Sequence, residues 1–500
     1  MFRLYKSSNY FAYTLLSALA VVLLFSSWGN KVYRATLRDL AGSSAFAPAI
    51  TRHQTLVNGK RLSYKAIAGY LTITDKQDRP SAHIFYTSYS LDTDGANRPV
   101  TFVFNGGPGS ASIWLHMGSI GPVRAIPGKQ GYQYNRQNWL SFTDLVFIDP
   151  VGTGYSQPAD GVEAKQFYSY RNDISSIAAF IKLYLQQHNL PTSPVFLVGE
   201  SYGAARAVGL AAYLKDSLAI KVSGLTLISP ALNYRLVSFR RGNDQPYPLY
   251  LPAFARAAQY HHRLADELEQ LSPDQLGSRV TRFAQGLYTR YLAKSDRGNR
   301  GFTKRIIDSL SYFTGLTKDE VAATNGRVSD VEFTQSLLKS SGNKIGTFNS
   351  TVKGQISAAD PSEAALRAVF PGAFKEYIKG ELQYDNNLPY QATTAVPDWN
   401  YGPAVANGYF DVSKVLEHLM TKNPDLKVSV AAGYYDLATP LETTRYVVAH
   451  LNLVPQLRHN ISMNEYRSGH MVYTSNEANA QFHSNSEKFY QDVLKKGGQS

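Results

Sequence analysis

The chain of 500 residues is 44% hydrophobic, carries a formal net charge of +13 and contains no cysteine. This length and apolar fraction allow a large buried core and argue against a disordered chain. The lack of cysteine excludes a disulfide framework, a cysteine nucleophile and thiolate metal sites. The basic charge is spread thinly and no nucleic-acid-binding motif accompanies it, so we expect no nucleic-acid partner.

The amino terminus has the charge pattern of an export signal. Arg3 and Lys6 precede an uncharged, mostly apolar run, Phe11–Trp28, and further basic residues follow it. A positive start before an apolar run is typical of exported proteins, and about 18 such residues lie at the lower limit for crossing a bilayer. We assign residues 1–34 to either a cleaved signal peptide or an uncleaved membrane anchor. Both alternatives predict an exported protein, periplasmic or secreted, and the second would hold it at a membrane.

Short apolar strands alternate with helices over most of the remaining chain. Strands are predicted at Leu62–Thr74, Ala82–Leu91, Val100–Phe104, Leu145–Ile148, Val195–Val198, Leu225–Ile228, Val428–Ala432 and Asn460–Tyr466. Helices are predicted at Ile174–Gln187, from its apolar spacing, and at the Ala-rich Ala204–Leu214. This alternation predicts an α/β fold with a mostly parallel sheet that is covered by helices on both faces.

The segment 233–400 differs from the rest because its helical patterns are longer and it is richer in charge. Ser272-Pro273 and Thr317–Glu320 are typical helix starts, and long strand patterns are absent from the segment. We interpret it as a mainly helical cap inserted between two parts of the sheet domain, 50–232 and 401–495. A cap of this kind narrows access to a site below it, and a purely structural role is the alternative.

The strongest local motif is Gly199-Glu200-Ser201-Tyr202-Gly203, which lies between an apolar strand and the Ala-rich helix. A nucleophile elbow requires this context, because its serine must lie on a sharp turn from strand to helix. Gly199 and Gly203 suit the turn because side chains there would collide with the strand and the helix. Ser201 is therefore the candidate nucleophile.

A serine hydroxyl needs a general base, and the base needs an orienting carboxylate. On the fold that carries such an elbow, the acid and then the histidine follow the serine, each after a later strand. Asp436 follows Val428–Ala432, and His470 follows Asn460–Tyr466. We predict that both side chains reach Ser201 at the carboxyl edge of the sheet. A helix-capping role is the alternative for Asp436.

Acyl transfer develops an oxyanion, so backbone donors must already face its position. The N–H of Tyr202, next to the nucleophile, is one candidate. The other is expected from the loop Asn105–Gly109, which follows the strand Val100–Phe104 and is rich in glycine. We predict the N–H of Gly107 as this donor, and a plain tight turn is the alternative for the loop.

Ordered motifs across the chain resemble those of the serine carboxypeptidases, a family of α/β-hydrolase peptidases. They are Asn105-Gly106-Gly107-Pro108-Gly109, Asp149-Pro150-Val151-Gly152-Thr153-Gly154-Tyr155-Ser156, Gly199-Glu200-Ser201-Tyr202 and Gly469-His470-Met471-Val472. The resemblance implies an α/β-hydrolase fold and an enzyme that removes C-terminal residues from peptide or protein substrates through an acyl-enzyme on Ser201.

The resemblance also implies how the substrate is held. In the family, an asparagine and the glutamate before the serine grip the C-terminal carboxylate, and these residues are Asn105 and Glu200 in this chain. Two carboxylates share a site only with a bridging proton, which raises the pKa of the glutamate and favours acidic conditions. A structural hydrogen bond beneath the elbow is the alternative for Glu200.

Several positions near these motifs depart from the family pattern, among them Ser110, where the family usually has a cysteine, and Gly203-Ala204, where it commonly has the reverse order. Ser119 stands where the family has a second carboxylate-binding glutamate, and Tyr473 stands where a proline usually follows the histidine motif. Because Ser119 removes half of the acidic clamp, the alternative is another serine acyl hydrolase or acyltransferase, such as an esterase or an aminopeptidase-like enzyme. A non-enzymatic binding protein is disfavoured because all three triad positions carry competent residues. No cofactor and no metal are predicted, since the sequence has neither a closely spaced ligand set nor a nucleotide-binding loop.

Overall fold

The computed structural model describes residues 47–92, 97–294 and 300–497. The predicted export segment, 1–34, lies outside these residues. Among the helices in the described ranges, none combines the length and the apolar character needed to cross a membrane.

The strands follow one another along the chain in this order. They are β1 (Ala49–Val57), β2 (Lys60–Thr74), β3 (Pro80–Leu91), β4 (Val100–Phe104), β5 (Val123–Arg124), β6 (Gln133–Tyr134), β7 (Asp144–Ile148), β8 (Gln157–Pro158), β9 (Val195–Glu200), β10 (Val222–Ile228), β11 (Asn343–Ile345), β12 (Lys353–Gln355), β13 (Val405–Ala406), β14 (Tyr409–Phe410), β15 (Lys427–Gly433) and β16 (Ile461–Tyr466).

The large sheet has the strand order β1-β2-β3-β7-β4-β9-β10-β15-β16, with β8 paired to β3. The strands β1, β2, β3 and β7 pair antiparallel, and from β7 to β16 every pair is parallel. All residues of β4 and β9 are buried, as expected for central parallel strands that are covered on both faces. The carboxyl ends of the parallel strands therefore meet along one edge of the sheet.

The α-helices of the described residues are distributed over the whole chain between and after these strands. They are α1 (Ile113–Leu115), α2 (Tyr170–Gln187), α3 (Tyr202–Leu218), α4 (Pro246–Tyr260), α5 (Asp266–Glu269), α6 (Pro273–Phe283), α7 (Thr289–Ala293), α8 (Arg300–Thr314), α9 (Lys318–Ala323), α10 (Asp330–Ser336), α11 (Pro361–Arg367), α12 (Phe370–Gly380), α13 (Ser413–Lys422), α14 (Leu441–His450), α15 (Pro455–Arg458) and α16 (Asn476–Gly497).

Helices cover both faces of the large sheet. On one face, Val195 and Leu197 of β9 lie in the same apolar cluster as α2, α3 and α13. Phe196 points to the opposite face because side chains alternate along a strand, and its ring stacks on Tyr490 of α16 with centroids 4.0 Å apart. The predicted α/β-hydrolase architecture, a mostly parallel sheet between two helical layers, is present.

Between β10 and β15 the chain is mainly helical and has an apolar core of its own. Helices α4, α6, α8 and α10 contribute to this core, for example through Phe254, Leu276, Leu310 and Phe333. The helix α6 begins with a capping box at Ser272, and α9 begins with one between Thr317 and Glu320. The strands β11 and β12, which lie in the same segment between β10 and β15, form a short antiparallel pair. The limits 50–232, 233–400 and 401–495 stay predictions.

Candidate active site

Ser201 lies at the sharp turn between the buried strand β9 and the helix α3. Its backbone has φ 61° and ψ −124°, a conformation that costs energy for a residue other than glycine. The turn is so tight that a Cβ on Gly199 would lie 2.0 Å from the carbonyl oxygen of Gly203. Ser201 is partly exposed while its neighbours in the turn are buried. These are the features of the predicted elbow.

Asp436 and His470 lie in the loops after the neighbouring parallel strands β15 and β16. The Nδ1 atom of His470 is 2.8 Å from Oδ2 of Asp436, and both side chains are buried. The end of β10 connects this pair to the elbow. The N–H of Ser201 donates to the carbonyl of Ile228 at 2.9 Å, and the hydroxyl of Ser229 donates to the carbonyl of His470 at 2.6 Å. The three predicted residues are thus brought to one edge of the sheet.

The mainly helical segment between β10 and β15 contacts the loops that carry the acid and the histidine. The ring of Phe348 stacks on that of His470 with centroids 5.1 Å apart, and its carbonyl accepts from the N–H of His470 at 2.6 Å. The N–H of Leu437 donates to the carbonyl of Thr347 at 2.9 Å. This helical segment therefore helps to fix the orientation of the imidazole.

Thr439 adds a hydroxyl group to the acid–histidine pair that the sequence analysis missed. Its Oγ1 lies 2.8 Å from Oδ2 of Asp436, 3.0 Å from the carbonyl oxygen of Ser229 and 3.1 Å from Nδ1 of His470. The other carboxylate oxygen, Oδ1, accepts from the N–H groups of Ala438 and Thr439 at 2.8 and 2.9 Å. Asp436 is not the N-cap of α14, which is Pro440, so the capping alternative is not observed at that helix.

Charge and burial act in opposite directions on His470. Burial alone lowers the pKa of the imidazole, but the charge and hydrogen bond of Asp436, together with the charge of Glu200, raise it above its usual value of 6.5. A carboxylate that accepts from Nδ1–H also selects the tautomer in which Nε2 is free to accept a proton. His470 is therefore poised as a base in one orientation.

The glycine loop after β4 lies directly against the elbow. A Cβ on Gly106 would be 2.6 Å from the backbone nitrogen of Tyr202, so this approach requires glycine. Tyr202 is the first residue of α3, and its N–H has no acceptor within the helix. Gly107 has φ 99°, in the region that favours glycine. The structure brings the loop that carries Gly107 against the turn that carries Tyr202, and the oxyanion role of both N–H groups stays a prediction.

A buried ion pair beneath the elbow was also missed by the sequence analysis. The Nε atom of Arg206 on α3 donates to Oδ2 of Asp173 on α2 at 2.7 Å, and the hydroxyl of Tyr202 donates to the same oxygen at 2.9 Å. The guanidinium also donates to the carbonyl of Asn105. The pair therefore ties the glycine loop, the elbow and two helices together.

Asn105 and Glu200 form a buried pair immediately beside the nucleophile. The side-chain amide of Asn105 donates to Oε1 of Glu200 at 2.8 Å, and the hydroxyl of Tyr473 donates to Oε2 at 2.6 Å. Glu200 is only 3% exposed, and this burial raises the pKa of its carboxyl group to about 7. Both the substrate-binding and the structural interpretation of Glu200 fit these contacts.

Ser119, the position that departs from the family pattern, is buried. Its hydroxyl donates to Oδ1 of Asn479 on α16 at 2.7 Å, so it is engaged with the C-terminal helix. In the part of the chain that the structure describes, no group of three or more acidic, histidine or cysteine side chains is arranged to hold a metal ion.

Part of this chain is similar to a known protein family. Residues 57–228 match the family model described as serine carboxypeptidase. A carboxypeptidase Y homolog of Arthroderma benhamiae is 29% identical over 208 residues, which are 39% of this chain and 40% of that protein. The pheromone-processing carboxypeptidase kex1 of Schizosaccharomyces japonicus is 28% identical over 177 residues, 33% of this chain and 32% of that protein. The chain thus spans two fifths or less of the length of these relatives, and over residues 57–228 the family resemblance is confirmed.

Among solved structures, the crystal structure of Kex1, a prohormone-processing carboxypeptidase from Saccharomyces cerevisiae, is similar to this fold. It matches with a TM-score of 0.56 and 15% sequence identity, covering 86% of this chain and 91% of that chain. At this identity the likeness concerns the fold alone. The predicted α/β-hydrolase fold is confirmed.

Proposed function

We propose that this protein, whose residues 57–228 match the serine carboxypeptidase family, is a serine-type carboxypeptidase that acts through an acyl-enzyme on Ser201. The observation that carries the proposal is the meeting of three chain segments at one sheet edge. There the His470–Asp436 pair has 2.8 Å between Nδ1 and Oδ2. It is linked to the strained serine through the end of β10, where Ile228 accepts from the N–H of Ser201 and Ser229 donates to the carbonyl of His470. Glu200 and Asn105 lie directly beside that serine and supply a group suited to a terminal carboxylate.

The reaction follows from these positions. Nε2 of His470 accepts the hydroxyl proton of Ser201 while Oγ attacks the carbonyl carbon of the last peptide bond. The N–H groups of Tyr202 and Gly107 stabilise the oxyanion that develops. The imidazolium, held by Asp436, then protonates the leaving amine. Water, deprotonated by His470, hydrolyses the acyl-enzyme and regenerates Ser201.

The specificity for a free C-terminus depends on the protonation of Glu200. Because burial raises the pKa of this carboxyl to about 7, it is neutral in acidic solution and donates a hydrogen bond to a substrate carboxylate. Above that pH the ionised group repels the same carboxylate. Exopeptidase turnover therefore decreases as the pH rises through about 7.

The alternative is another serine acyl hydrolase or acyltransferase on the same fold. Ser119 is the reason to keep it, because its hydroxyl is engaged with Asn479 and supplies no acid to the substrate, but the match to the serine carboxypeptidase family does not favour it. Such an enzyme would use the same triad without recognising a free C-terminus.

Export is part of the proposal and is supported by the amino-terminal sequence alone. The basic start and the apolar run Phe11–Trp28 are typical of exported chains. Peptides or proteins outside the cytoplasm would then be the substrates. Retention of the segment as an anchor stays a prediction.

The proposal is tested by comparing a blocked dipeptide that has a free C-terminus with its C-terminal amide across a pH series. We expect the acid to be turned over at least about tenfold faster than the amide in acidic solution, a difference of about 1.4 kcal/mol in the barrier. The preference should diminish as the pH passes about 7. Ser201→Ala provides the blank. Equal turnover of acid and amide at every pH would refute the carboxypeptidase and favour the alternative.

A further inference from the structure

Tyr473 contacts the carboxyl group of Glu200 from the loop that carries His470. Its hydroxyl donates to Oε2 at 2.6 Å, opposite the amide of Asn105 on Oε1. Tyr473 is 0% exposed and Glu200 is 3% exposed. Each carboxyl oxygen of Glu200 therefore accepts from one neutral donor, Asn105 or Tyr473. Tyr473 has no part in the proposed reaction.

The position of the tyrosine is fixed by its surroundings. The carbonyl of Tyr473 accepts from Nη2 of Arg124 at 2.9 Å, while Nε of Arg124 donates to the carbonyl of Gly118 at 2.8 Å. Gly118 leaves room for the ring, since a Cβ there would lie 2.5 Å from the Cε2 atom of Tyr473. The phenol is therefore held so that its hydroxyl is directed at Glu200.

The charged and titratable groups around Glu200 decide what this hydroxyl does. His470 and Asp436 act on Glu200 through their charges, and Asn105 and Tyr473 act through hydrogen bonds. Arg124 acts on the phenol itself. Burial and the charge of Glu200 raise the pKa of Tyr473 well above its usual value, so the phenol stays a neutral donor. A donor of this kind stabilises the ionised carboxylate and opposes the effect of burial.

We propose that Tyr473 is a positioning residue that determines specificity, because its hydroxyl sets the upper pH limit at which Glu200 can bind a substrate's terminal carboxylate. The inference rests on the proposed carboxypeptidase function and deepens it. Ser119 is engaged with Asn479, so the tyrosine, and not a second acid at that position, sets the ionisation of Glu200.

The test is Tyr473→Phe, which removes the hydroxyl and keeps the ring. We expect the alkaline limb of kcat/KM for the free-acid dipeptide to move to higher pH by roughly 0.5 to 1 unit, the effect of losing one hydrogen bond to the carboxylate. The profile for the amide substrate should show no such shift of an alkaline limb, because binding of the amide does not require a proton on Glu200. Loss of packing alone would lower both rates and shift neither limb.

Tyr466→Phe is the matched control. Tyr466 is also a buried tyrosine close to the histidine loop, but its hydroxyl accepts from Asn485 at 3.1 Å. It should leave both profiles in place. An unmoved alkaline limb for the free-acid substrate would overturn it, whereas equal turnover of acid and amide by the unsubstituted enzyme would overturn the proposed function instead.

Replacement of Tyr473 by 3-fluorotyrosine decides the matter if the phenylalanine variant does not fold. The fluorinated phenol is more acidic and is a stronger donor, so the same alkaline limb should move to lower pH. A shift of opposite sign, or none, would overturn the inference.

Discussion

Thr439→Val removes the hydroxyl beside the acid–histidine pair and preserves the shape of the side chain. The single hydroxyl proton has two acceptors within reach, Oδ2 of Asp436 at 2.8 Å and the carbonyl of Ser229 at 3.0 Å. Valine donates to neither. In the variant, Asp436 keeps its two backbone donors on Oδ1 and the imidazole of His470 on Oδ2. It loses the hydroxyl donor on Oδ2, which is one of the groups that fix the plane of the carboxylate.

The size of the effect follows from the contacts. A hydrogen bond to a charged group contributes about 1.5–3 kcal/mol, and Asp436 keeps the N–H groups of Ala438 and Thr439 as donors. We therefore expect the lower end of the range, a decrease in kcat/KM of about tenfold. With one donor fewer, the carboxylate interacts more strongly with the imidazolium, so the pKa of His470 rises and the acid limb of the profile moves to higher pH.

The assay is the pH dependence of kcat/KM for the amide substrate, whose binding does not require a proton on Glu200. The Nδ1 proton of His470 can be followed in parallel by NMR, because its resonance reports the hydrogen bond to Asp436. Thr443→Val is the matched control, since the hydroxyl of Thr443 is buried nearby and donates to the carbonyl of Pro440, at 2.7 Å. Thr439→Ser should restore activity. If Thr439→Val retains full activity with an unmoved acid limb, the proposed support of Asp436 is refuted.

Three further predictions concern the glycine loop at the turn, the buried ion pair and the buried carboxyl group of Asp149. Gly106→Ala places a methyl group 2.6 Å from the nitrogen of Tyr202. We expect kcat to fall by roughly a hundredfold or more, as for loss of an oxyanion donor. A wild-type kcat would exclude this loop from the oxyanion site. Asp173→Asn leaves the buried Arg206 without its carboxylate. This change should lower the free energy of unfolding by about 3–5 kcal/mol, measured by urea denaturation. An unchanged free energy of unfolding would contradict the role of the ion pair. Burial raises the pKa of Asp149 from 3.8 to about 6, so its stabilising contribution is present below the unfolded-state value and is lost as the pH rises through about 6. Asp149→Asn should remove this part of the dependence of Tm on pH, and an identical dependence in the variant would count against it.

Buried strands were the elements that the sequence predicted best. The limits of β4 agree with the prediction, and β7 begins only one residue earlier, at Asp144. Both are short strands made mostly of apolar residues, as expected for central parallel strands. The strand β1 was missed because it lies at the edge of the sheet, where most of its residues are at least partly exposed and no apolar run marks it.

A residue of the proposed site could be predicted from the sequence when it lies just after a predicted strand. Ser201, Asp436 and His470 each follow such a strand. Because parallel strands end at one edge of the sheet, the sequence also predicts that these residues meet there. The contacts of Tyr473 with Glu200 join residues that are 273 positions apart, and no local pattern indicates such a pair. Thr439 was missed for another reason. A threonine before a proline is typical of a helix start, and the contact of its hydroxyl with His470 exists only in the folded structure.

The central claim is that Ser201 is a nucleophile activated by His470. It is tested most directly by treating the protein with a fluorophosphonate and locating the adduct by peptide mass spectrometry, beside His470→Gln as the variant without the base. We predict a stoichiometric adduct on Ser201 in the unsubstituted protein and slow or absent labelling in the variant. No adduct, an adduct on another residue, or equally fast labelling of both proteins would contradict the claim.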